Sequence, residues 1–197
     1  MTEDLREQYA TDDNLRARIA LHAAFSINPH WAEWLFDRET PGRPGTRILD
    51  VGCGPGIVWR ANRKRIDATW SLTLADLSPG MIEVARRELG ERAVYLVADA
   101  QELPFSADSF DIVIANHMLY HLLDRPRAFE EIRRMLVSGG TFHASTIGRG
   151  HLAELDALSP AGTSGATPRR SDWKPGWNSF SRSSPTFASS GSRMAWP

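Results

Sequence analysis

A short apolar strand running straight into a glycine turn constrains this chain more than anything else in it. Ile48-Leu49-Asp50-Val51-Gly52-Cys53-Gly54-Pro55-Gly56 ends a strand, turns on three glycines and enters a helix. Such a turn lets a ligand approach the backbone closely at the carboxyl end of the strand. A nicotinamide or flavin fingerprint would place another glycine three residues after Gly54, and Ile57 stands there instead. Asp50, two residues before the first glycine, suits a cationic ligand better than a pyrophosphate.

The rhythm that follows predicts a doubly wound parallel α/β sheet. Strands are expected at Arg47 to Val51, Ser71 to Leu77, Ala93 to Val97, Phe110 to Ala115 and Thr141 to Thr146. The helices between them are expected at Ile57 to Ile66, from Ser78-Pro79 onward with Met81, Ile82, Ala85 and Leu89 on one face, and after a cap at Asp124. Gly139-Gly140 is read as the break before the fifth strand. Ahead of the first strand, an amphipathic helix is expected to run from Thr11-Asp12-Asp13 to about Phe25, and a shorter one from Pro29 carries Trp31, Trp34, Leu35 and Phe36. Pro41-Gly42-Arg43-Pro44-Gly45 ends this region. The organisation expected is a helical lid over residues 1–46, a core over 47–158 and a low-order tail over 159–197.

Composition narrows the partners. The 197 residues carry a net charge of -1, too little to steer the molecule towards nucleic acid or an anionic membrane, so small molecules are the expected partners. The opening residues are charged, and no run of about 18 apolar residues occurs. Cys53 is the single cysteine, which rules out an intrachain disulfide and a multi-cysteine metal site. A soluble cytoplasmic protein is expected.

Polar residues fall at the ends of successive strands. Asp76 ends the second, where a carboxylate can accept hydrogen bonds from both hydroxyls of a ribose. It is open to a second reading as a helix cap, although Ser78 is better placed for that. Asp99 follows the third strand and Asn116 the fourth, so all three converge on one crevice.

This set of motifs resembles the class I S-adenosylmethionine-dependent methyltransferases, with their Rossmann-like sheet. Asp50 to Gly56 is similar to their first motif, Asp76-Leu77-Ser78-Pro79-Gly80-Met81 to their ribose motif, and Ala98-Asp99-Ala100-Gln101-Glu102-Leu103-Pro104-Phe105 to their adenine motif. Phe110-Asp111-Ile112-Val113 and Arg134-Met135-Leu136-Val137-Ser138-Gly139-Gly140 complete the match, with Ser138 where the family often has proline. The resemblance implies S-adenosylmethionine as cofactor and a methyl acceptor that is a small molecule. It places the backbone of Gly52, Cys53, Gly54 and Gly56 near the methionine part, Asp76 on the ribose, Leu77 and Met81 against the adenine, and Asp99 with the Ala100 backbone at the adenine edge. His121, one turn beyond Asn116, matches a histidine often found there in small-molecule methyltransferases, and imidazole can take a proton from a hydroxyl or amine acceptor. It can equally hold its loop by hydrogen bonds. Trp31 and Trp34 are read as core of a lid helix or as acceptor contacts, and Cys53 as a small filler of the turn.

The resemblance also implies two more strands after the fifth, and the last forty residues do not read as supplying them. Ser159 to Pro197 is rich in Ser, Pro, Gly, Arg and Trp without period, like translation in a shifted frame. Both closing strands are therefore expected to be missing, which leaves open an inactive cofactor-binding fragment. A basic arm with tryptophans that stack on bases is the rival account of the tail.

Overall fold

The computed structural model describes residues 30–40 and 43–146, and the backbone of 178–181. The expected helix before residue 26 and nearly all of the expected low-order tail lie outside the described residues.

Six strands form one sheet: β1 (Arg47–Val51), β2 (Ser71–Asp76), β3 (Val94–Val97), β4 (Phe110–Asn116), β5 (Leu136–Ser145) and β6 (Asn178–Ser181), in the order β3-β2-β1-β4-β5-β6. The first five are parallel, with Asp50 opposite Leu74 on one side and Ile114 on the other. Because successive side chains on a strand point to opposite faces, Leu49 and Val51 join one apolar cluster and Ile48 the other. Parallel sheets need cover on both faces. Helix α1 (Trp31–Glu39), α2 (Ile57–Ala61) and α3 (Pro79–Leu89) cover the face of Ile48, Leu72 and Leu74, seating Leu35, Phe36, Trp59 and Leu89. Helix α4 (Arg125–Met135) covers the other with Ala128, Ile132 and Met135. Truncating a core residue such as Leu49, which has no exposed surface, would cost about 2–5 kcal/mol.

Local chemistry explains the helix ends. Ser78 Oγ accepts from the Met81 amide at 3.2 Å, with Pro79 opening α3, and Asp124 accepts from the Arg127 amide at 3.0 Å at the start of α4. Thr40 closes α1 by donating both its amide and its hydroxyl to the Phe36 carbonyl, at 3.1 and 2.6 Å. Among the described residues no helix is long and apolar enough to cross a membrane.

Two element boundaries differ from expectation by more than two residues, and one strand appears that was not expected. The helix expected to reach Ile66 stops at Ala61, and a single 3-10 turn follows over Arg63–Arg65. There the Asn62 side chain donates to the carbonyls of Ala32 and Val58, at 3.2 and 2.8 Å, tying the chain to α1 instead of extending α2. The fifth strand starts at Leu136, five residues early. Leu136 lies opposite Phe110 and Thr141 opposite Ile112, so the glycine pair sits at an irregularity inside the strand and not ahead of it.

The third correction concerns the closing strands. Asn178–Ser181 pairs antiparallel with β5, setting Thr141 opposite Ser181, Phe142 opposite Phe180, His143 opposite Ser179 and Ala144 opposite Asn178. One of the two strands expected to be missing is thus represented by four residues, and this stretch of β5 has no bare edge. The expectation demanded a longer, β-branched segment. A ladder is made by backbone groups, so an open edge accepts a short serine-bearing segment as well.

Candidate functional site

The glycine turn is pinned to the end of β2. Gly52 and Cys53 both donate their amides to the Ala75 carbonyl, at 2.7 and 3.1 Å, and Gly54 donates to Asp76 Oδ2 at 2.8 Å. Gly52 has φ +68°, and a Cβ there would lie 2.7 Å from the Cβ of Met118, beyond β4. Gly56 opens α2 at φ +69°, where a Cβ would meet Leu89 at 3.1 Å. Positive φ and close approach together make glycine the residue for these two positions. The Cys53 thiol rests on the Gly54 carbonyl at 3.3 Å, and burial, with the charges of Asp50 and Asp76, pushes its pKa well up. It remains a thiol at neutral pH, a poor nucleophile.

Asp76 uses both oxygens on backbone amides, Oδ2 on Gly54 and Oδ1 on Ser78, each at 2.8 Å. Burial nevertheless raises its pKa, outweighing those bonds. The Leu77 amide also bonds to this carboxylate; each carboxylate oxygen accepts about two hydrogen bonds, so acceptor capacity is left for a ligand hydroxyl. Next along the sheet, the Ala98 amide donates to the Asp76 carbonyl at 3.0 Å, which brings Asp99 and buried Ala100 beside Asp76. Asp99 Oδ1 accepts from the amide and side chain of Gln101, at 2.9 and 3.0 Å, shaping that loop. Leu77 is half-buried and Met81 buried.

Asp50 is almost wholly buried. Its Oδ2 accepts the indole N–H of Trp59 at 2.7 Å, while Oδ1 has no hydrogen-bond partner among the described residues. Burial, and secondarily the charge of Asp76, raise its pKa to about 7 against the pull of Trp59. Asn116 Oδ1 accepts from Ser145 Oγ at 2.6 Å, and its Nδ2 donates to Glu39 Oε2 at 2.9 Å. Glu39 was not foreseen. It ends α1 with no exposed surface, its Oε1 has no hydrogen-bond partner among the described residues, and burial raises its pKa to about 8. Nothing in Trp31–Glu39 signals this, because the burial comes from strands distant in sequence. Trp59, which orients Asp50, was likewise missed.

On the far side of the turn, a 3-10 turn over Leu119–His121 follows β4. The His121 amide donates to the Met118 carbonyl at 2.9 Å, and its imidazole lies 4.3 Å from the Tyr120 ring centre. His117, at φ +53°, meets the Trp31 ring edge-on at 6.3 Å. The structure therefore brings Asp50, Gly52 to Gly56, Asp76 and Asn116 into one connected set, with Asp99 and Ala100 adjoining it. His121 stands apart, joined through Met118, which packs over Gly52.

A carboxyl at the end of each of β1 and β2, a tight backbone turn and a third buried carboxyl fit a ligand with hydroxyls and a cationic end. They would repel a pyrophosphate. The arrangement is that of the Rossmann-like α/β proteins that hold a nucleoside across the carboxyl ends of their strands.

Residues 49–144 match the family model described as a methyltransferase domain. Malonyl-[acyl-carrier protein] O-methyltransferase of Serratia marcescens is 35% identical over 115 residues, 57% of this chain and 42% of that protein. The ubiquinone/menaquinone biosynthesis C-methyltransferase of Idiomarina loihiensis is 30% identical over 122 residues, 59% of this chain and 48% of its own. In fold, the chain superposes with a TM-score of 0.57 on the Haemonchus contortus phosphoethanolamine N-methyltransferase 2, solved with S-adenosyl-L-methionine, at 24% identity over 73% of this chain and 35% of that one. This segment is a methyltransferase domain of the class I S-adenosylmethionine-dependent family. The chain spans about half the length of the curated relatives it matches.

Proposed function

We propose that this chain is an S-adenosylmethionine-dependent methyltransferase acting on an oxygen, nitrogen or carbon atom of a small molecule, in the cytoplasm and without a nucleic-acid or membrane partner. The observation that carries the reading is the connected set of Asp50, the Gly52 to Gly56 turn and Asp76 at the ends of two adjacent strands. The near-neutral chain with one cysteine supports the setting.

When bound, the cofactor supplies a methyl group already activated on a sulfonium. The residues of the chain then have mainly to align and exclude, because in-line positioning can account for much of the rate. Asp76 takes the ribose hydroxyls on the acceptor capacity that the Gly54, Leu77 and Ser78 amides leave open. Asp99, the Ala100 backbone, Leu77 and Met81 hold the adenine. Asn116 fixes the end of β4, α1 forms part of a lid over the crevice, and an imidazole nitrogen of His121 receives the proton of a hydroxyl or amine acceptor.

Titration calorimetry with S-adenosylhomocysteine tests the binding half of this reading. Asp76→Ala should weaken binding by roughly 2–4 kcal/mol, the loss of two charge-assisted hydrogen bonds. Part of that loss passes through the turn, since Asp76 also anchors the Gly54 amide. Unchanged affinity refutes the ribose role.

A further inference from the structure

The methyltransferase reading uses Asp50 and Asn116 and leaves Glu39 unexplained. Two carboxyl oxygens, Glu39 Oε1 and Asp50 Oδ1, are buried without hydrogen-bond partners among the described residues. Each belongs to a side chain whose other oxygen is clamped, by the Asn116 amide at 2.9 Å and the Trp59 indole at 2.7 Å. They are therefore held in place and cannot swing to an internal donor. Asn116 holds Glu39 at the end of β4, the strand that pairs with β1 and sets Ile114 opposite Asp50, and the charge of Asp50 acts on Glu39. An unsatisfied buried polar group costs about 1–3 kcal/mol. Two such oxygens, held at the ends of the neighbouring strands β1 and β4, are the observation from which a ligand that supplies the missing donors is inferred.

We propose that Glu39 is a cofactor-positioning residue: with Asp50 it forms a paired acceptor for the primary ammonium at the amino-acid end of the cofactor. The inference rests on the reading of the chain as a binder of S-adenosylmethionine. The ammonium is the matching group because it presents three N–H donors, whereas a sulfonium presents none. Among the described residues no group of three histidines, cysteines or acidic residues could hold a metal ion.

Proton release follows from charge. Burial holds both carboxyls partly protonated near neutral pH, at about 8 for Glu39 and about 7 for Asp50. A cation between them favours the ionised form, so the proton leaves. The hydrogen-bond partners of the two carboxyls, the Asn116 amide and the Trp59 indole, are neutral, and Arg47, Arg60, Arg65 and Arg134 pair with other carboxylates. Asp76 on β2 adds negative charge, and the Cys53 thiol in the turn stays protonated. On β5, burial holds His143 at about 4, so it is neutral. His117, after β4, meets the Trp31 ring, and Arg38 on α1 lies 4.3 Å over the Trp34 ring.

The test is titration calorimetry on the full chain at pH 7 in two buffers of different ionisation enthalpy, with two ligands. S-adenosylhomocysteine carries the ammonium; 5′-methylthioadenosine keeps the nucleoside and thioether and lacks the amino-acid end. The native chain should release on the order of half a proton or more with the first ligand and none with the second. Glu39→Gln should weaken S-adenosylhomocysteine about tenfold or more, cut the release to about half or less, and leave 5′-methylthioadenosine within about twofold. Equal weakening of both ligands, unchanged affinity for both, or no proton release from the native chain overturns the proposal. If Glu39→Gln fails to fold, the contrast between the two ligands on the native chain still decides. Failure of both ligands to bind the native chain overturns the cofactor reading itself, whereas binding of both without proton release overturns only the role of Glu39.

Discussion

Gly52→Ala tests whether the turn after β1 and the segment after β4 are built against each other. Alanine at φ +68° enters the left-handed region at a cost of about 1–2 kcal/mol. Its methyl group would also stand 2.7 Å from Met118 Cβ and 2.8 Å from Met118 Cγ, an overlap that relaxes only if one strand end shifts, costing about 1–3 kcal/mol more. The sum, roughly 2–5 kcal/mol, is a large share of the stability of a typical domain, about 5–15 kcal/mol. Urea unfolding followed by fluorescence should show a lower midpoint with an unchanged slope. The two costs separate in a double-mutant cycle. Met118→Gly removes the overlapping atoms and leaves the backbone strain, so Gly52→Ala should cost about 1–3 kcal/mol less in that background. Additive effects, within about 0.5 kcal/mol, would refute the claim that Met118 seals the turn.

Stability should fall as pH rises from about 5.5 to 8.5. Glu39 and Asp50, raised to about 8 and about 7, bind protons more tightly folded than unfolded, so their contribution is full below the unfolded carboxylate range and is lost as pH passes through the folded values. The change is about 5 kcal/mol; Glu39→Gln should flatten the urea-midpoint profile, and a midpoint that rises with pH contradicts the assignment. For His121 the comparison is single-turnover methyl transfer in His121→Gln and His121→Ala with an oxygen or nitrogen acceptor. A rate lowered about 10²–10⁴-fold at unchanged cofactor affinity marks a base, and an unchanged rate leaves the imidazole a structural partner of Tyr120.

What the amino-acid order determined by itself is whatever nearest neighbours decide. Arg47–Val51 is a strand with the expected ends, and Ser78 and Asp124 cap the helices expected of them, because capping and apolar alternation act over three or four residues. The glycine turn and Asp76 were legible for the same reason. Tertiary structure decided the rest. Glu39 reaches Asn116 across 77 positions and becomes a buried acid only there; α2 stops short because Asn62 finds the Ala32 carbonyl 30 residues away. The glycine pair at 139–140 sits within β5 because β4 offers pairing on both sides of the irregularity. Asn178–Ser181 is a strand because the open edge of β5 recruits backbone and asks little of side chains. In each case the deciding partner is remote along the chain, and local pattern carries no trace of a contact that only folding brings about.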